Sequence, residues 1–551
     1  MTARIALLSR LSRTSTRRAS GIIGLAALLV AMVTWALASP VGASPDEDYH
    51  LASIWCGQGA RDGLCEPGEQ ADTRHVQQRL ISSPCYAFKP AESAACQWPI
   101  MTQDTDLVDT DRGNFDGSYP PVFYFVMSFL VGGQVADSVI LMRVANAVIS
   151  LSLLAAVWLV SPTGLRRALV GATAVTIVPL GMFLLPSINP SSWALLSALA
   201  LPVAVLGYIT TEDRRRRLLL GALAAVALLM GAGARADSAI YGVLAIGLAG
   251  VVTVRLSWAY VRRMVYPAIL AVVALGLFLT TGQSESVSGT GATELTFGAF
   301  VRLMGDVPSL WTGALGGWGL GWLDTYLPAV VPVAAWAVLV GVVFAALAGA
   351  GPRRLVAFVL AGIAVWVVPT YMQYLSGYPV GAAIQPRYIL PMIIVLVVVA
   401  LTRTHEPPIR WAGGQWALVV VALSLANAVS LHTNLRRYVT GSDVVDPSLD
   451  AGSEWWWPTL PVGPTLTWAV GSVAFAVALV LLTLSLLTSN GRDVSAAEAP
   501  ARHLAPAEGA VPGADERAVD EARGTVDPDE AAPAVATAAP GAVRSAAERD
   551  S

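Results

Sequence analysis

Residues 21–38 read GIIGLAALLVAMVTWALA, and Arg4, Arg10, Arg13, Arg17 and Arg18 stand just before them. As a helix this uncharged run is about 27 Å long, enough to cross the hydrocarbon core of a bilayer. The basic flank places the N-terminus on the cytoplasmic side. Small residues at Ala36, Ala38 and Ala43 resemble a signal-peptidase site. The apolar run is nevertheless long for the core of a signal peptide, so it reads as a retained first span.

Eleven more apolar runs follow, near 139–160, 168–186, 192–210, 218–234, 238–254, 264–281, 327–350, 355–372, 388–402, 414–430 and 465–488. The chain therefore reads as an all-α integral membrane protein with about 12 transmembrane helices. Threading the runs alternately puts Arg166 and Arg167, Arg214 to Arg217, Arg255 with Arg262 and Arg263, Arg353 with Arg354, and Arg403 with Arg410 on one side, the cytoplasmic one. Both termini then face the cytoplasm, with the chain in the cell membrane. The composition agrees: 55% of residues are hydrophobic and 13% charged, about half the charged share of soluble domains. The net charge of -3 is spread without a basic face, which argues against a nucleic-acid partner.

The same threading divides the chain into a basic cytoplasmic N-terminus (1–20), a membrane domain (21–488) and an Ala/Pro-rich acidic tail (489–551) that is too poor in aromatic residues to bury a core and reads as disordered and cytoplasmic. Three larger segments lie outside, at 39–138, 282–326 and 431–464. The first holds all four cysteines, Cys56, Cys65, Cys85 and Cys96. Two disulfides are expected in an oxidising compartment, and Cys56 to Cys65 with Cys85 to Cys96 is the simplest of three pairings by spacing. No Cys-x-x-Cys spacing supports a zinc site.

Just beyond the first span lies Ser44-Pro45-Asp46-Glu47-Asp48-Tyr49-His50. A carboxylate held there suits a general base toward a hydroxyl, or a ligand of a divalent cation such as Mg or Mn, beside a lipid-phosphate substrate. The structural alternative is a helix N-cap at Ser44 or Asp46. Farther along, Tyr119-Pro120-Pro121-Val122-Phe123-Tyr124 opens an apolar stretch ending near Gly132. Counting it as a span would reverse every later arginine loop, so it reads as a short helix along or dipping into the membrane, with an extra span of mixed topology as the alternative. Arg143, Arg235 and Asp237 lie in or beside apolar runs and need partners. Gln385-Pro386-Arg387-Tyr388-Ile389-Leu390-Pro391 puts an arginine at the outer edge of a span, suited to a phosphate or to interfacial anchoring. Trp311, Trp318, Trp322 and Trp455 to Trp457 read as an aromatic belt.

Together, Pro45-Asp46-Glu47 with His50, Tyr119-Pro120-Pro121 with Tyr124, Arg143, and Gln385, Arg387, Tyr388 and Pro391 resemble a family of bacterial membrane proteins known as domain of unknown function 2142, over about residues 20–490. That family resembles the GT-C glycosyltransferases, multi-spanning enzymes that take sugars from polyprenyl-phosphate carriers on the outer membrane face. The resemblance implies that Asp46, with Glu47 and His50 in support, is the catalytic base or metal ligand, and that Arg387, Tyr388, Gln385 and Arg143 hold the donor phosphate. The partners implied are a polyprenyl-phosphate-linked sugar, a cell-envelope glycan or glycolipid acceptor, and membrane lipid, with inverting transfer. The chain departs from the family pattern at Pro386, where glycine is usual. It also departs at Asn189-Pro190-Ser191-Ser192, which lacks an expected acid, so Asn189 receives no role. A lipid-linked glycan flippase and a non-catalytic envelope-assembly protein are the rival expectations. Most ionisable residues at span ends, and no visible paired interrupted helices, favour surface chemistry over passage.

Overall fold

The computed structural model of the protein describes residues 2–102, 106–282, 296–403, 406, 411–457 and 462–497. Arg410, part of the second external segment and the tail beyond Ala497 lie outside the described residues. Ten of the described helices are long and apolar enough to cross a membrane: 19–37, 135–160, 191–210, 214–234, 236–253, 258–279, 330–347, 352–376, 413–439 and 464–484.

Two of the twelve expected spans take another form. The run at 168–186 is broken into helices Thr163–Thr176 and Leu180–Leu184, because Pro179 lacks the N–H that would continue the ladder. The run at 388–402 forms the 16-residue helix Pro386–Leu401, with Pro386 in its first turn. That helix and Ser191–Thr210 are buried almost all round and pack against each other. They are the centre of the bundle, which is why their sequences are apolar on every face.

The arginine loops gather at one end of the bundle. There Arg263 donates to Ile209 O at 2.8 Å, Arg403 to Ala346 and Ala348 O at 2.8 and 2.7 Å, and Arg354 to Ala400 O at 3.1 Å while pairing with Glu406 at 2.8 Å. Each guanidinium meets carbonyls that a helix C-terminus leaves unpaired. These arginines therefore close helix ends as well as marking topology.

At the other end, the first external segment folds around a three-stranded antiparallel sheet, β1 (Cys65–Pro67), β2 (Arg74–Gln77) and β3 (Leu107–Thr110), in the order β1-β2-β3. Cys56–Cys65 and Cys85–Cys96 are bonded, the pairing that spacing favoured, with Cα–Cα distances of 5.3 and 6.1 Å. Residues Val122–Ser128 form a short helix, as expected. It seats against the end of Glu47–Trp55 because residue 57 is glycine: a Cβ there would lie 2.7 Å from Tyr124 O.

The helix expected at 414–430 runs on to Val439 and so takes up the start of the third external segment. Its last turn holds Arg437, which is buried and pairs with the buried Asp324 at 2.8 Å. Arg437 also donates to Tyr86 O, Lys89 O and Glu92 O, clasping all three external segments. Arg437→Met should therefore lower stability by about 3–5 kcal/mol, since Asp324 is left charged and unpaired. The Arg437→Met, Asp324→Leu pair should recover part of that loss in thermal unfolding of detergent-solubilised protein. No recovery would show that the carbonyl contacts, not the ion pair, hold the segments together.

A carboxylate–arginine site beside the first helix

The site is built on residues 36–45, where the first helix ends and the chain runs unpaired through the packed interior. Buried backbone carbonyls without partners are costly in a membrane protein, and here side chains from distant segments supply them. Arg143 donates to Ala36, Ser39 and Pro40 O at 3.0, 2.5 and 2.7 Å. Trp457 donates to Leu37 O, Asn434 to Ala38 O, Tyr86 and Gln97 to Val41 O, Trp322 to Gly42 O and Asn189 to Pro45 O, all within 3.0 Å. Trp322 and Trp457, expected in an aromatic belt, are buried instead because their indole N–H groups serve this segment.

Asp46 follows at the N-cap position of helix Glu47–Trp55, with φ 59° and ψ 23° and no side-chain capping bond. The left-handed conformation is one that aspartate tolerates better than most residues. Neither Ser44 nor Asp46 caps the helix through its side chain; instead Glu47 Oε2 accepts the N–H of Ser44, ahead of the helix, at 2.9 Å. Glu47 is fully buried, and both its oxygens also meet Arg143, at 2.9 and 3.1 Å. Glu47 and Arg143, expected as catalytic and phosphate-binding groups, are thus engaged with each other and with the backbone beneath the site.

Asp46 itself keeps 37% of its side chain exposed. Oδ2 accepts from Arg387 Nη2 at 2.7 Å and Oδ1 from Arg112 Nη2 at 3.3 Å. Burial works against ionisation, but Arg387 and then Arg112 outweigh it and hold the carboxyl below its ordinary pKa. Arg387 also donates to Gln385 Oε1 and, at 2.9 Å, to Tyr388 Oη. Tyr388 lies between two cations, with Arg387 4.8 Å and Arg235 4.2 Å from its ring centre. Arg235 is gripped by Asp237 through two bonds of 2.9 and 2.8 Å, which supplies the partners those two residues required.

Sequence reasoning missed Arg112, Asn114 and the role of Asn189. Arg112 grips Asp48 through Nε and Nη2, at 2.8 and 3.1 Å, so its fork is aimed before it reaches Asp46. Asn114 ties the Arg112 loop to the helix, its side-chain Oδ1 accepting from Tyr119 N at 2.7 Å while its backbone N–H donates to Ser53 Oγ at 2.8 Å. Neither stands in a recognisable motif, since both lie in the loop after β3 and act on residues 64 and 61 positions back in the chain. Asn189 could have been flagged as an amide before a proline in the short connection between two apolar runs.

The donor set does not suit the divalent cation that the sequence suggested. Asp46, Glu47 and Asp48 are each engaged by a guanidinium, whose charge opposes that of a second cation, and no group of three or more metal-ligating side chains occurs among the described residues.

His50 is buried, with Nδ1 3.0 Å from Tyr124 Oη and its ring among Tyr49, Tyr119 and Tyr124. Desolvation is the main cause of a pKa lowered to about 3, so the ring is neutral and forms part of the wall. Between pH 6.5 and about 3 the unfolded chain binds a proton at this residue that the folded chain refuses. Stability should therefore fall as pH drops through that window, by up to about 1.4 kcal/mol per unit. His50→Gln should flatten the pH dependence of thermal unfolding, and unchanged slopes would refute a neutral buried His50.

No curated protein and no solved structure matches the chain. Residues 28–397, which contribute Asp46, Arg112, Arg143, Arg235 and Arg387, match the model of the family described as "Predicted membrane protein (DUF2142)", and the chain belongs to that family.

Proposed function

We propose that this membrane protein is a GT-C-like, inverting glycosyltransferase that moves a sugar from a polyprenyl-phosphate donor to a cell-envelope acceptor on the external face of the cell membrane. The observation that carries the reading is the contact between Asp46, a half-open carboxylate just beyond the first helix, and Arg387, 341 residues away in sequence, at 2.7 Å. A base for an acceptor hydroxyl and a cation for a leaving phosphate stand side by side.

In this mechanism the acceptor hydroxyl gives its proton to Asp46 as its oxygen bonds to the anomeric carbon from one face. The carbon–oxygen bond to the carrier phosphate breaks on the other, and the electron pair leaves with the phosphate. Arg387 balances the departing charge. Paired with Arg387, Asp46 is a weak base, because the cation stabilises the carboxylate. When Arg387 turns to the donor phosphate, Asp46 loses its nearest cation and becomes a stronger base as the donor seats. Arg112 retains the other oxygen and keeps the carboxylate aimed. Gln385 and Tyr388 orient Arg387, while Glu47, Arg143, His50 and Asn189 position the segment that carries Asp46.

The test is the envelope glycan and glycolipid content of cells lacking the protein, complemented with the parent, Asp46→Asn or Arg387→Ala at matched membrane levels. Asp46→Asn should slow transfer about 10²–10⁴-fold and Arg387→Ala about 10²–10³-fold, with charged donor accumulating on the outer face. Donor accumulating on the inner face instead would favour a flippase. Full restoration by both variants would reduce the acidic cluster to scaffolding and end the transferase reading.

A further inference from the structure

A cavity of about 500 Å3 lies at the arginine-rich end of the bundle, away from Asp46. Its interior is hydrocarbon: Leu25 and Leu28 of the first helix, Leu154 of helix Val135–Val160, and Phe475 and Leu479 of the last helix line it. Its rim is different in kind, carrying Arg167, Arg403, Trp158, Trp411 and Trp416. Trp411 and Trp416 lie with ring centres 5.1 Å apart, and Arg166 stands 5.1 Å over Trp158. Indoles beside guanidinium groups at a helix-bundle end mark the depth of lipid headgroups.

From these features we infer that the cavity is a binding site for one anionic phospholipid, its acyl chains inside and its phosphate at Arg167 and Arg403. The one rim carboxylate among the described residues, Glu406, does not oppose this assignment: Oε2 pairs with Arg354 at 2.8 Å and Oε1 accepts the Gly351 N–H at 2.7 Å. Arg403 is already held in place by its bonds to Ala346 and Ala348 O, so it meets a headgroup without first being ordered. Basic pockets between spans on the cytoplasmic side recognise acidic headgroups in this way, and the arginine loops assign this end to that side. The lipid joins the first and last helices and so steadies the helix from which the Asp46 segment emerges. The inference does not depend on the transferase reading.

The experiment uses full-length protein, delipidated in detergent and titrated with phosphatidylglycerol or phosphatidylcholine, with retained lipid read by native mass spectrometry. Phosphatidylglycerol should bind more tightly and raise the melting temperature more, whereas glycerol 3-phosphate alone should do neither. Arg167→Gln should weaken phosphatidylglycerol about fivefold with phosphatidylcholine unchanged, and Arg167→Lys should keep the preference. Ala174→Phe, which fills the cavity, should remove binding of both lipids. Brominated phosphatidylglycerol should quench tryptophan fluorescence in the parent protein more than its phosphatidylcholine counterpart, a readout needing no variant. Equal affinity for the two lipids, equal quenching, or undiminished lipid on the folded Ala174→Phe protein would overturn the assignment.

Discussion

The backbone of residues 36–45, where the first helix ends, is the constraint on which the rest of the disulfide-bearing end of the protein depends. It carries carbonyls into a buried environment where neither water nor a helix ladder can receive them. Satisfying them takes Arg143, Asn189, Asn434, Trp322, Trp457, Tyr86 and Gln97, drawn from helices and loops across the chain. Arg143 is the costliest of these to bury, and Glu47 is the carboxylate that neutralises it. The pair is thus paid for by the carbonyls it serves: without them, two apolar side chains would pack the same space more cheaply.

That constraint explains why the sequence was legible in some places and silent in others. The spans could be read because each must hold a run of apolar residues whatever its neighbours do. The run at 168–186 was misread as continuous because apolarity alone does not register the break that Pro179 makes. Asp46, Arg387, Tyr388 and Gln385 were found because the chemistry of a carboxylate and an arginine at the membrane edge stands out locally. Their meeting was not legible, since nothing within either segment specifies a contact across 341 residues. Glu47 and Arg143 were singled out for their charge, yet they pair with each other and with backbone groups, which carry no sequence signature. Arg112 and Asn114 lie in the loop after β3, which has no periodicity, and their roles depend on how that loop folds back over helix Glu47–Trp55.

Charge balance gives the site its character. Arg387, Arg112 and Arg235 face Asp46, Asp48 and Asp237, so the cations and anions of the outer layer match. Arg235 and Arg112 are each held by a carboxylate through two bonds. Arg387 is held by Asp46 through one, together with neutral oxygens of Gln385 and Tyr388. An arriving anion therefore competes most easily for Arg387, and the contact it displaces is the one to Asp46.

Within 44–50 the structural duties are already distributed. Glu47 accepts the Ser44 N–H and neutralises Arg143, Asp48 aims Arg112, and His50 is sealed neutral against Tyr124. Asp46 alone among the three carboxylates keeps a substantial open face, and it does so in a backbone conformation that costs energy and satisfies no cap. Glycine or asparagine would accept the left-handed region more readily, but either would leave the buried Arg387 without its carboxylate. What glycine and asparagine cannot supply is a negative charge that an arginine can release when another anion arrives.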